Sequence, residues 1–166
     1  MSGFGMAPFG ANHISTTHTT SIDASTPWVA ASDGNLPLLQ TSLSALKLTV
    51  AAQDENGYTC LHAAASYSQL PIIEWLLTQD SSLLHQVDKD GDSALHYAST
   101  VEACQSLVTQ SIDVQTRNHS GKTALEAKRA ELDELIQDED FEETDPEAVT
   151  LRRVVEYLAS LSTISQ

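Results

Sequence analysis

The chain has 166 residues, 41% of them apolar and 5% aromatic, and its 23 acidic residues against 8 basic ones give a formal charge of −15 at pH 7. One domain with a tail fits that length and two full domains do not, while so few aromatics disfavour an aromatic-rich β-sandwich and ask for a core of Leu, Ala, Val and Ile. The negative field argues against nucleic acid and anionic membrane as partners, and no apolar run approaches the roughly 20 residues that span a bilayer.

In chain order, Met1 to Ile14 carries no Lys or Arg ahead of an apolar stretch, so a soluble, intracellular chain of the cytoplasm, the nucleus or both is expected. Gly, Ala, Ser, Thr and Asn without apolar periodicity predict a disordered tail over 1–26. The next feature is an internal repeat. Asp54-Glu55-Asn56-Gly57-Tyr58-Thr59-Cys60-Leu61-His62-Ala63-Ala64 returns 34 residues later as Asp88-Lys89-Asp90-Gly91-Asp92-Ser93-Ala94-Leu95-His96-Tyr97-Ala98, and after a further 30 as Asn118 to Ala127. Upstream, Ala30-Ala31-Ser32 and Leu36-Pro37-Leu38-Leu39 reappear as Ala64-Ala65-Ser66 and Leu70-Pro71-Ile72-Ile73, at the same offset of 34. Four units follow, over about 27–53, 54–87, 88–117 and 118–161.

Within a unit, Gly57 or Gly91 supplies the positive φ of a turn. Thr59, Ser93 and Thr123, two residues after the glycine, are placed to cap a short helix. Small residues such as Ala64, Ala65 and Ala98 let a neighbouring helix approach, and Ile72, Ile73, Leu76 and Leu77 give the spacing of a second, amphipathic helix that opens on Pro71. One such unit cannot bury its own apolar faces, so the units must stack.

Gly57-Tyr58-Thr59-Cys60-Leu61-His62 with Ala64 and Ala65, then Trp75-Leu76-Leu77, at a period near 33, resembles the ankyrin repeat over roughly residues 27 to 161. The resemblance implies an all-α solenoid of stacked helix-turn-helix units with short β-turn fingers. The family's usual Pro after the Thr is absent, with Cys60, Ala94 and Ala124 in its place. The unit from Asp88 to Arg117 is about three residues short around Ser99 to Val101, and an irregular stack is expected there. In the last unit Lys128 and Arg129 stand where small residues belong, and the second helix is expected only from Val149.

Between them, an insertion over 131–147 holds ten acidic residues and no basic one. Like charge this dense resists helix and core formation. It is a solvated, mobile loop, or an electrostatic arm of Asp138, Glu139, Asp140, Glu142 and Glu143 around Phe141 that attracts a basic partner, or, as a third reading, a weak divalent-cation binder. Asp138-Glu139-Asp140 lacks the spacing of an EF-hand loop.

An enzyme is not expected. No Gly-x-Ser-x-Gly, His-Glu-x-x-His, Walker A or Gly-x-Gly-x-x-Gly occurs. Cys60 and Cys104 lie 44 residues apart outside any disulfide or metal pattern, which fits a reducing compartment and packing in the core. Cys60-x-His62 has no second Cys/His pair to complete a metal site. His62 and His96 fall at the family's structural His, which the resemblance assigns to tying successive units together. No metal and no cofactor is expected.

The function the resemblance implies is binding of another protein, by a monomer acting as an adaptor, through a concave face onto which Asn56, Tyr58, Ser66, Tyr67, Asp90, Asp92, Tyr97, His119 and Lys122 map. Tyr58, Tyr67 and Tyr97 lead this set, since Tyr offers large contact area at low entropic cost; alternatively they only cover adjacent helices. Trp75 is expected in the core between repeats, and Trp28, ahead of the first unit, as a cap on the array. The second functional reading is a chaperone-like escort whose acidic 131–147 loop shields a basic client such as a ribosomal protein or histone.

Overall fold

The computed structural model describes residues 21–137 and 144–164, with side chains as far as residue 161. The arm residues Asp138, Glu139, Asp140, Phe141, Glu142 and Glu143 lie outside the described residues. Eight helices follow in order: α1 (Thr26–Ser32), α2 (Leu36–Leu46), α3 (Cys60–Ser66), α4 (Leu70–Gln79), a 3-10 turn (Ser81–His85), α5 (Ala94–Tyr97), α6 (Val101–Thr109), α7 (Ala124–Ile136) and α8 (Pro146–Ile164). Each odd-numbered helix packs on the even-numbered one that follows it. The odd-numbered helices also pack in a row, and so do α4, α6 and α8, which is the expected solenoid.

The first helix of each inner unit is short, and almost everything on it is buried. In α3, Cys60, Leu61, Ala63, Ala64 and Ala65 are each 1% exposed or less, a density that only small side chains allow between two helical neighbours. Leu39, Ile72, Ile73, Leu76, Leu83, Leu95 and Leu107 complete the core. Trp75 is partly buried and packed against it.

Between helix pairs the chain forms a finger. Asp54 Oδ1 accepts from the N–H groups of Asn56 and Tyr58, at 2.8 and 2.9 Å. Asp88 does the same for Asp90 and Asp92, and Asn118 for Ser120 and Lys122. Each finger closes at its base through a single antiparallel bridge: Gln53 with Thr59, Val87 with Ser93, Arg117 with Thr123. The fingers join one another in a fixed register, Lys89 N–H donating to Asn56 O and His119 N–H to Asp90 O, both at 2.8 Å.

A second chain of bonds runs beneath them. His62 Nδ1 accepts from Thr59 N–H at 3.1 Å, which leaves Nε2 as the N–H that donates to Asp92 O in the next unit at 3.1 Å. His96 repeats the arrangement with Ser93 N–H and with Lys122 O. Trp28, 34 residues before His62, donates its indole Nε1–H to Tyr58 O at 2.8 Å. Three rings of two chemical kinds thus make one bond, each to the carbonyl of the residue just after the next unit's finger glycine.

Several sequence expectations change. Trp28 lies inside α1, at the first unit's counterpart of the structural His, and is not an element ahead of the array. Order begins before residue 27 as well: Asp23 Oδ1 accepts from Ser25 and Thr26 N–H, and α1 starts at Thr26. Residues 131–136 of the acidic insertion are helical, because Ala124, Lys128 and Leu132 bury one face of α7 at four-residue spacing while the acids occupy the others. Lys128 fits a position meant for a small side chain by directing its ammonium at Glu131 Oε2, 2.9 Å away. The last helix begins at Pro146, three residues before the expected Val149.

The short third unit loses three of its four missing residues in one place. α5 has four residues where α3 has seven, a loss of about one turn. The joint is held by hydroxyls, with Ser68 Oγ 3.1 Å from Ser99 Oγ and 2.7 Å from Thr100 Oγ1.

Two glycines separate backbone strain from packing. Gly57 (φ 79°) and Gly121 (φ 73°) have the same backbone conformation. A Cβ on Gly57 would lie 3.1 Å from Asp88 Cα, whereas one on Gly121 would meet nothing within 4 Å. Gly121→Ala is expected to lose the roughly 1–2 kcal/mol of a left-handed alanine, and Gly57→Ala about 1 kcal/mol more, by urea denaturation. In the same assay Trp28→Phe, which keeps the ring bulk and removes the inter-unit bond, should lose about 1 kcal/mol.

Candidate functional site

The nine residues assigned to the binding face fall into two groups. Asn56, Tyr67, Asp90, His119 and Lys122 are exposed, and Tyr67 at the end of α3 is 64% exposed. Asn56, Asp90 and His119 stand on the fingers, where their backbone groups make the finger-to-finger bonds and their side chains are left to solvent. His119 also covers Gly91: a Cβ there would lie 2.9 Å from its Cδ2.

The other four, Tyr58, Ser66, Asp92 and Tyr97, are partly buried and tied to one another's neighbours. The Tyr58 hydroxyl is 3.0 Å from Ser66 Oγ. Tyr97 O–H donates to Asp88 Oδ2 at 2.6 Å, and Asp92 Oδ1 accepts from Asn118 Nδ2 at 2.8 Å. The Tyr58 and Tyr97 rings meet edge to face with centroids 5.1 Å apart, and His62 lies 5.3 and 5.6 Å from them. The three rings form a small aromatic cluster across the second and third units, Tyr97 meeting the other two in the edge-on geometry that ring quadrupoles favour while Tyr58 and His62 are tilted by 33°.

Asp88, absent from the sequence-derived set, is the hub of this cluster. It is 8% exposed, holds its own finger through Oδ1 and receives Tyr97 through Oδ2. Burial raises its pKa, but the hydrogen bonds from Tyr97, Asp92 and Asp90 outweigh burial and hold the carboxyl below its ordinary value. Burial pushes the Tyr58 and Tyr97 phenols up, and for Tyr97 the bond to Asp88 adds to the rise. The recurrence of Asp or Asn at 54, 88 and 118 was the available sequence signal for Asp88, yet it marks the turn and says nothing of the bond to Tyr97.

Burial pushes the Cys60 and Cys104 thiols up to about 12, so at neutral pH both are packed, protonated groups. Among the described residues no group of three or more His, Cys, Asp or Glu side chains could hold a metal ion, and no helix is long and apolar enough to cross a membrane. What the surface offers is shape and hydrogen-bonding capacity: finger tips with free polar side chains, an exposed Tyr67, and the rims of Tyr58 and Tyr97 held in place from below.

The buried His62 gives this surface a pH dependence. Burial lowers its pKa from the ordinary 6.5. Between that value and the lower folded one the unfolded chain holds more protons, so stability falls as pH falls. Above about 6.5 both states are neutral and the His62 contribution is complete. Asp88 acts in the same direction at lower pH, its contribution present above 3.8 and lost below it. Unfolding free energy measured from pH 7.5 to 5 should decline, and the decline should be smaller in His62→Gln, which has no titrating ring.

Comparison with known proteins matches residues 27–118 to a family model described as ankyrin repeats in three copies. The chain is 31% identical over 104 residues to an ankyrin repeat-containing protein of Schizosaccharomyces pombe, covering 62% of this chain and 49% of that one. It is 35% identical over 66 residues to the 85/88 kDa calcium-independent phospholipase A2 of Mus musculus, covering 39% and 8%. Against the transient receptor potential cation channel subfamily A member 1 homolog of Caenorhabditis elegans the identity is 31% over 113 residues, covering 63% and 9%. The chain thus spans about half the length of the yeast relative and under a tenth of the other two.

Proposed function

Since this chain belongs to the ankyrin-repeat family, whose repeats are generally protein–protein interaction modules and generally non-catalytic, we propose that it is a non-enzymatic adaptor that binds a partner protein through its fingers and first helices. Stacked units of this kind present a concave surface suited to such recognition. One observation carries the reading: Tyr67 is 64% exposed and follows Ser66, whose hydroxyl holds Tyr58, and the Tyr58 ring in turn meets Tyr97, so these hydroxyls and rings are already immobilised by intramolecular bonds. An interface that starts from fixed aromatic rims loses little side-chain entropy on binding.

The binding residues in this proposal are Tyr67 with Asn56, Asp90, His119 and Lys122, framed by Tyr58, Ser66, Asp92 and Tyr97. A second reading, an escort for a basic client, is supported by the charge of −15 and by Glu131, Asp133, Glu134 and Glu147, exposed at the end of α7 and the start of α8. In it the acidic stretch draws in the client, and the interaction weakens steeply with salt.

Affinity capture with three forms of the chain separates the two. The first carries Tyr67→Ala and Asp90→Lys, the second lacks residues 138–143, and the third, a control on the second helices, carries Glu74→Lys and Glu102→Lys. The adaptor reading expects partners lost at least tenfold in the first and kept in the second and third. Loss in the second, with binding that collapses between 50 and 300 mM salt, on the order of the range where surface charges become screened, favours the escort. Loss in the third alone puts the surface on the second helices.

A further inference from the structure

Each finger after the first receives its predecessor through one backbone bond, the second finger residue donating to the third residue of the finger before: Lys89 N–H to Asn56 O, then His119 N–H to Asp90 O. The residue in register in the first finger is Glu55, 34 positions before Lys89. Its N–H has no acceptor among the described residues, and it is exposed. The first unit opens on the Asp23–Thr26 turn, which takes no part in the finger row. Beside the open N–H lies a groove of about 540 Å3 whose walls include Ala24, Trp28, Leu46, Leu48, Asp54 and Glu55. Leu48 is 37% exposed into solvent, a large apolar side chain at the foot of an unpaired backbone edge. Among the described residues, no basic side chain lines the groove.

We propose that this upstream end of the finger row is a docking edge for an extended, basic and apolar segment of another protein, which supplies the finger the first unit lacks. A main-chain carbonyl of the segment accepts from Glu55 N–H in the register used twice within the row. An apolar side chain covers Trp28, Leu46 and Leu48, and a Lys or Arg beside it meets the Asp54 and Glu55 carboxylates. Backbone bonds of this kind provide affinity, and the groove provides selection of side chains. Charge decides the occupant. A second copy of this chain brings another −15 to an already acidic rim, whereas a basic segment is drawn in. The edge shares Asn56 with the proposed binding face but none of Tyr67, Asp90, His119 and Lys122, so its failure leaves the adaptor reading standing on those four.

The test uses the full chain, labelled with 15N and titrated with the peptide acetyl-Lys-Val-Lys-Leu-Lys-Val-Lys-amide. Expected are a shift of the Glu55 amide resonance, at least tenfold slower hydrogen exchange there, and at least tenfold weaker binding of the same peptide with Glu in place of Lys. Glu55→Pro removes the N–H at a turn position that favours Pro; it and Leu48→Asp should each weaken binding at least tenfold while keeping the wild-type unfolding midpoint. Glu55→Gln, which keeps the N–H, should lose less. Equal binding by Glu55→Pro, equal binding of the two peptides, or an unmoved Glu55 resonance overturns the proposal. So does protection of Glu55 in the free chain that disappears when residues 1–20 are deleted, which would make that segment the occupant. Concentration-dependent sedimentation abolished by Glu55→Pro would make a second copy the occupant, and it too overturns the proposal.

Discussion

One bond holds this array in register: a ring N–H in one unit donating to the carbonyl that follows the finger glycine of the next. A unit of about thirty residues has no core of its own, so most of its apolar burial is against neighbours, and burial alone does not say at what height or rotation two units meet. A hydrogen bond between a buried ring and a backbone carbonyl is directional and does. The carbonyl keeps a backbone donor from its own finger when the ring bond breaks, Asp54, Asp88 or Asn118 N–H, but a buried ring N–H left without its acceptor would cost about 1–3 kcal/mol, so slippage between units is penalised at each junction. The finger bonds from Lys89 and His119 then add a second point of contact, and two points fix an orientation.

The proposed recognition surface inherits its rigidity from the same interaction. His62 is both the donor to Asp92 O and a member of the ring cluster with Tyr58 and Tyr97. Asp92 in turn reaches Asn118, and Asp88 joins a finger to Tyr97. Structural bonds and candidate contact residues are therefore one network, and a change to the Tyr58 and Tyr97 rims is felt at the junction beneath them. The face is preorganised because its side chains already serve the stacking.

Much of the fold was legible because repetition is its own control. Gly57 and Gly91, Thr59 and Ser93, His62 and His96 recur at one offset, and only shared geometry explains all three pairs. The missing turn was also legible as a length deficit around Ser99, since an interval is counted directly from the chain. Trp28 was less so: an indole makes the bond that an imidazole makes elsewhere, and a search for the His-containing motif passes over it. The helix through Glu131, Asp133 and Glu134 was hidden by their charge, because one buried face at Ala124, Lys128 and Leu132 suffices to hold it. For the site, the family resemblance mapped Tyr58 and Tyr97 onto one face, and their rings do meet. Their partners Ser66 and Asp88 depend on how units pack, and no local pattern encodes that.

The final unit breaks the series in a telling way. Where Trp28, His62 and His96 stand in the others, the fourth unit has Glu126, whose carboxylate accepts from Thr123 N–H and from Arg117 and has no proton to offer onward. The row is thus a directional polymer with a built-in terminator: any further module spliced after this one would find no donor waiting for its carbonyl. Lengthening the array would call for a ring N–H donor, imidazole or indole, at that position before any new module could seat.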